Sequence, residues 1–332
     1  MSTDSASSTS YNSSNKTFIL KNANSSIIEL VSGQQAIDAL QKVDDYIANL
    51  SQFDLESRLN LPLSTIQDYI KFIGEQILTW DEESSQAMTS CIEFINTTCQ
   101  EKLNLLTYPP QIYVVLTNGK GESNAAYCRN ENVIVMPIGI IRGGLIRKIF
   151  VHELFHIWSK WHSNLITRNE LYASIGYHKI PGEKSIEFPV SLEKIKISNP
   201  DAPLVLKYYI ELKKLRDRTE KIYKCTPILL ASRNFDPQFS TNFFDYLKAT
   251  TLILDDNTYE PLEPLQYLAY EEAENFFHQI GQNTYYIIHP EEILADNFAL
   301  WMMNKTPSKR VTSPNVLSRM ADIISTAAKD RS

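Results

Sequence analysis

The sequence has no apolar run of about 18 residues, so no segment is expected to span a membrane. Its four cysteines, Cys91, Cys99, Cys128 and Cys225, never fall into C-x-x-C spacing, which excludes a disulfide framework and a zinc ribbon. Basic residues are outnumbered, 32 Lys and Arg against 39 Asp and Glu. The resulting net charge of −7 argues against nucleic acid as a partner, because such binders usually carry a basic face. The opening stretch MSTDSASSTSYNSSNK lacks a basic segment followed by an apolar one, so no standard secretory signal is expected. It reads as a disordered polar tail over residues 1–16. These absences make a reducing, cytoplasmic setting the default, and export as an effector by a signal-independent route fits equally.

What is present suffices for a large core: 332 residues, 43% hydrophobic and 11% aromatic. From about Gln34 to Leu106 the pattern is helical, with Ala36, Leu40, Val43 and Ile47, then Ile66, Ile70, Ile73 and Ile77, at three-to-four spacing. A third helix is expected from Asp81 to about Leu105. The texture then changes. Gln111–Thr117, Ala125–Cys128 and Asn132–Pro137 read as short strands, and Gly143-Gly144 releases the chain into an apolar helix over Leu145–Trp161. Further on, Ile222–Leu230 is strand-like, Tyr270–Ile280 helical and Thr284–Ile288 extended, before helices over Pro290–Met303 and Asn315–Ala328. The fold class expected is α+β, mainly helical, with a small strand sheet. The expected organisation is a helical N-terminal section, 17–107, followed by a domain over 108–332.

The chemistry is concentrated in Ile149-Phe-Val-His152-Glu153-Leu-Phe-His156. This is H-E-x-x-H, the zincin signature. Residues four apart share one helical face, so His152 and His156 can offer imidazole nitrogens to one ion, with Zn2+ the expected metal. Glu153 lies about 100° around the helix. It is therefore placed to take a proton from a metal-activated water without being a ligand itself. Two histidines and a glutamate buried in an apolar helix with nothing to satisfy them would be costly.

Two places offer a third ligand. His162 completes H-E-x-x-H-x-x-S-x-x-H, which is metzincin spacing except that Ser159 stands where a glycine would break the helix. Without that glycine the helix is expected to continue and carry His162 away. The second place is His289-Pro-Glu-Glu292-Ile-Leu-Ala-Asp296, where Pro290 suits a first helical turn and Glu292 and Asp296 fall on one face. Glu291 would replace Glu292 if the helix began one residue differently.

With this E-x-x-x-D arrangement the sequence resembles the gluzincin-type zinc metallopeptidases. The phrases Asn169–Tyr177 and Ile197–Pro203 likewise resemble bacterial metallopeptidases, so the resemblance covers roughly Leu145–Met303. It implies a zincin-like catalytic core and a peptidase acting on protein or peptide. In that core His152, His156 and Glu292 would hold the metal, Glu153 would be the general base, and Asp296 would orient His152. The gap between His156 and Glu292 exceeds what is usual for the class, so a sizeable insertion is expected between the two helices. The class commonly stabilises the tetrahedral oxyanion with a Tyr or His. Tyr172 is the first candidate, with Tyr177, Tyr286, His278 and His289 as competitors. Asn124–Tyr127 is placed like an edge strand whose open backbone could pair with an extended substrate. The rival readings are a zinc hydrolase of a non-peptide amide or ester, and a binding protein with a structural zinc.

Overall fold

The computed structural model describes residues 15–162, 166–182, 184–203, 205–215, 221–304 and 311–329. Most of the expected polar tail therefore lies outside the described residues, and its last residue, Lys16, already begins a strand. The chain forms two five-stranded sheets with helices around them, an α+β arrangement. Among the described residues no helix is long and apolar enough to cross a membrane.

The first sheet contains β1 (Lys16–Ile19), β2 (Ile27–Val31), β3 (Gln111–Thr117), β4 (Tyr127–Arg129) and β5 (Val133–Pro137), in the order β1-β2-β3-β5-β4. The central neighbours β2, β3 and β5 run parallel, and β1 and β4 close the two edges antiparallel. Alternation along the strands assigns the two faces. Ile28, Leu30, Ile112, Val114, Leu116, Ile134 and Met136 pack toward the apolar helix, which spans Ile146–Trp161, and toward the helix Glu82–Thr98. Val31, Val115, Val133 and Val135 pack on the opposite side, against the helices Gly33–Gln41 and Ile66–Glu75. A sheet covered on both faces is built from nearly continuous apolar strands, and Val133–Pro137 is buried throughout.

The section expected as helical, 17–107, also carries strands. β1 and β2 fall inside 17–107, and β2 is bonded in register to β3, Leu30 opposite Val114. The long helix expected over Asp81–Leu105 is two, Glu82–Thr98 and Gln100–Leu103, separated at Cys99.

The insertion between the two motif-bearing helices is a second, antiparallel sheet. It contains β6 (Tyr177–Lys179), β7 (Tyr208–Lys213), β8 (Ile222–Ala231), β9 (Leu247–Ile253) and β10 (Tyr267–Leu268), in the order β10-β9-β8-β7-β6. Only β8 was legible beforehand. Tyr270–Ile280 is shorter in helix than expected, a 3₁₀ turn at Tyr270–Glu272 and a helix at Phe276–Ile280, and Thr284–Ile288 forms no strand. The helix Pro290–Met303 has the bounds expected and packs against the motif helix, with the rings of Phe155 and Phe298 5.4 Å apart.

Candidate metal centre

The motif helix presents His152 and His156 side by side, their rings 4.8 Å apart. The facing helix begins with His289 as N-cap, its side chain accepting from the Glu291 backbone N–H, and Pro290 in the first turn. That start places Glu292 against both histidines. Its Oε2 lies 3.1 Å from His152 Nε2 and 3.5 Å from His156 Nε2. The ligand atoms of His152, His156 and Glu292 all lie within 4.8 Å of one another.

Each imidazole is held from behind by its own carboxylate. His152 Nδ1–H donates to Asp296 Oδ1 at 3.2 Å, and His156 Nδ1–H donates to Glu291 Oε1 at 3.4 Å. A carboxylate at each Nδ1 turns Nε2 toward Glu292, so that once a metal displaces the Nε2 proton each ring could serve as a ligand. His156 Nε2 is buried and has no hydrogen-bond partner. Leaving such an atom unsatisfied costs free energy, and a metal ion would satisfy it. The residues present could therefore hold a metal ion, with two imidazoles and a carboxylate as donors.

Asp296 also accepts from Thr284 Oγ1 and pairs with Lys148 at 3.2 Å, and these contacts with His152 hold its carboxyl well below the usual range despite burial. Burial disfavours a charge on His152, but its hydrogen bonds to Asp296 and Glu292 outweigh this and lift its pKa to about 9. A pocket anionic enough to hold imidazolium also attracts a metal cation. Asn199 Nδ2 donates to the second oxygen of Glu292 at 2.7 Å, which leaves Oε2 as the oxygen facing the histidines.

Glu153 is buried on the adjacent face. Cys128 Sγ donates to its Oε2 at 3.3 Å, and Asp201 stands close enough for the three groups to form a second cluster. Burial raises the Glu153 pKa, and burial next to Glu153 pushes Asp201 up to about 7.

Several expectations change here. Tyr172 does not face the histidine cluster from the open side. It is buried, and its hydroxyl donates to Glu291, which also accepts from Ser159 Oγ at 3.0 Å and pairs with Arg168 at 3.5 Å. Its hydroxyl is thus engaged with Glu291, behind His156. Tyr177 is buried, with its hydroxyl unpartnered, and His278 is exposed on a different helix. Tyr286, 40% exposed, is the competitor that lies on the open side, near Asn199 and Asp201. It shares a crevice of about 40 Å³ with Asn199 and Asp201. His162 ends the motif helix. Its Nδ1 bonds the Trp158 carbonyl at 2.8 Å and its Nε2 meets Thr107 Oγ1 at 3.0 Å, away from the cluster.

The edge strand is also less open than expected. Ser123 and Asn124 form a turn with positive φ, and the strand begins at Tyr127. The outward N–H of Cys128 donates to Asp201 Oδ1 at 2.7 Å, and its carbonyl accepts from Lys160 Nζ at 2.9 Å. Those two groups are therefore not available to a paired substrate strand.

Glu291, Asn199, Asp201, Cys128 and Arg168 were not anticipated in these positions. Only Asn199 and Asp201 carried a signal, since they lie in the phrase Ile197–Pro203. Comparison with protein-family models, with curated proteins and with solved structures finds no match for this chain.

Proposed function

We propose that this protein is a zinc-dependent peptidase with a zincin-like core, in which His152, His156 and Glu292 bind the metal and Glu153 is the general base. The observation that carries the reading is the buried, unpartnered Nε2 of His156, directed with His152 Nε2 at one oxygen of Glu292 while Glu153 waits on the next face. Bound there, zinc would supply a Lewis acid and bring the pKa of a water toward neutrality.

The chain's own residues have separable roles. Asp296 and Glu291 hold the two imidazoles in their ligating tautomer. Asn199 occupies one oxygen of Glu292, so that the other is presented as a single donor. Glu153 accepts a proton from the attacking water at Oε1 or Oε2 and later returns it to the leaving amine. Cys128, bonded to Oε2, restricts the rotation of that carboxylate. Tyr286, on the crevice it shares with Asn199 and Asp201, would donate to a developing oxyanion.

Elemental analysis should find about one zinc per chain, and a chelator should abolish cleavage of an unbiased peptide library, with zinc restoring it. Glu153→Gln should keep the zinc and lose hydrolysis by roughly 10²–10⁴-fold, since it removes the base and leaves the ligands. Full hydrolysis by Glu153→Gln would sink the reading. Peptides left intact while a simple ester or amide is hydrolysed would move it to a non-peptide substrate.

A further inference from the structure

A cavity of about 560 Å³ reaches the surroundings of the histidine cluster through two residues. Asn199, which donates to Glu292, lines it, and so does His289, the N-cap of the helix that carries Glu292. A volume of this size is typical of ligand sites.

The cavity is a built opening in the second sheet. Along β8 the backbone groups of Leu229 and Ala231 bond to Ile197 and Ile195, at 2.8 Å each. Toward the other end of β8, its pairing with β7 reaches only Ile210 opposite Cys225. Between these partners stand Pro227 and Ile228, both on the cavity wall. By alternation with Leu229, residue 227 would direct its N–H into the opening, and proline has none to leave unsatisfied.

The walls identify the ligand chemistry. Phe188, Ile197, Leu206 and Ile228 make them apolar. The charges around them are mixed: Glu193 is paired with Lys196 at 2.7 Å, and Asp45 and Glu187 stand with Lys207. Such a rim favours neither a strongly anionic nor a strongly cationic ligand. Among the described wall residues, His289 alone carries a buried side-chain polar atom without a partner. His289 is 2% exposed, its Nδ1 accepts from the Glu291 N–H, and its Nε2, which must then carry the ring proton, has no partner.

We propose that this cavity binds a bulky apolar side chain of the peptide substrate, with His289 Nε2–H donating to a carbonyl of the same residue. The inference deepens the peptidase reading and rests on it. The cavity holds the side chain, His289 fixes the carbonyl, and Asn199 joins this subsite to Glu292, so the bound residue lies next to the bond to be cleaved.

The test uses the full-length, zinc-loaded Glu153→Gln protein and two capped amino acids, N-acetyl-phenylalaninamide and N-acetyl-glycinamide, with binding read by NMR titration. The phenylalanine compound should bind about 10–100-fold more tightly, the effect of burying one large apolar side chain. Ala202→Leu, which fills the cavity from its wall, should erase that preference without lowering zinc content. His289→Asn keeps a helix-capping side chain but removes the Nε2 donor, and should weaken the phenylalanine compound by roughly tenfold. Equal affinity for the two compounds, or a preference untouched by both variants, overturns the proposal. Hydrolysis of the peptide library by the wild-type chain is scored separately, so a failed peptidase reading is distinguishable from a failed cavity assignment.

Discussion

Glu291 and Glu292 are neighbours in the chain and meet opposite edges of the same ring. Glu291 Oε1 lies 3.4 Å from His156 Nδ1, and Glu292 Oε2 lies 3.5 Å from His156 Nε2. Successive residues on a helix diverge by about 100°, so one imidazole can be gripped from both sides only where its edge enters the first turn between them. The two carboxylates therefore have unequal duties. Glu292 faces both histidines, whereas Glu291 is tied to Ser159, Tyr172 and Arg168 and has no free oxygen for a metal.

That inequality predicts distinct losses. Glu292→Ala should strip zinc or weaken it severely, because two histidines lack the third protein ligand of a catalytic site. Glu291→Gln should retain about one zinc per chain but bind it 10–100-fold more weakly, as should Asp296→Asn, since each loosens one imidazole. Competition against a fluorescent zinc chelator measures all three. A Glu291 variant that loses zinc as completely as Glu292→Ala would exchange their assignments.

The extent to which this centre was legible in the sequence follows from the range of each interaction. His152, Glu153 and His156 are related by helical periodicity alone, and periodicity is local. The Pro290 start of the second helix likewise set the phase of Glu292 and Asp296. Choosing between Glu291 and Glu292 needed tertiary contacts, because Ser159, Arg168 and Tyr172 show which carboxylate is already engaged. Asn199, Asp201 and Cys128 reach the site through pairings across the second sheet and the edge of the first, and neither leaves a mark at fixed spacing. The strands β1 and β2 were hidden for a related reason. The sheet is covered on both faces at β2, so the polar–apolar alternation that reveals a half-exposed strand is weak there, and β1 is a short, mostly exposed edge strand.

Tyrosine substitutions separate the open side of the centre from its support. Tyr286→Phe should lower kcat by about 10–10³-fold with little change in zinc content, the effect of deleting one oxyanion donor. Tyr172→Phe removes only a hydrogen bond to Glu291 and should act chiefly on zinc affinity and stability. Steady-state kinetics on a cleaved peptide, paired with metal analysis, decides the matter. A loss of kcat in Tyr172→Phe alone, at full zinc occupancy, would return the oxyanion role to Tyr172.

The last prediction concerns acid stability and follows from His289. Burial lowers its pKa from 6.5 to about 4, with the nearby charges of Glu292 and Glu291 opposing that shift only in part. Between these values the unfolded chain binds a proton that the folded chain does not, so stability falls as pH falls through this window. At about 1.4 kcal/mol for each tenfold change, the gap from 6.5 to about 4 amounts to about 3 kcal/mol, fully present above pH 7 and nearly lost by pH 4. The comparison is between wild type and His289→Asn, both held metal-free with EDTA so that acid release of zinc does not contribute. Urea unfolding at pH 7.5, 6, 5 and 4 should show the wild type losing about 3 kcal/mol more than the variant over that range. Parallel losses in the two proteins would mean that His289 titrates in the folded chain as it does in the unfolded one, and the lowered pKa would fail.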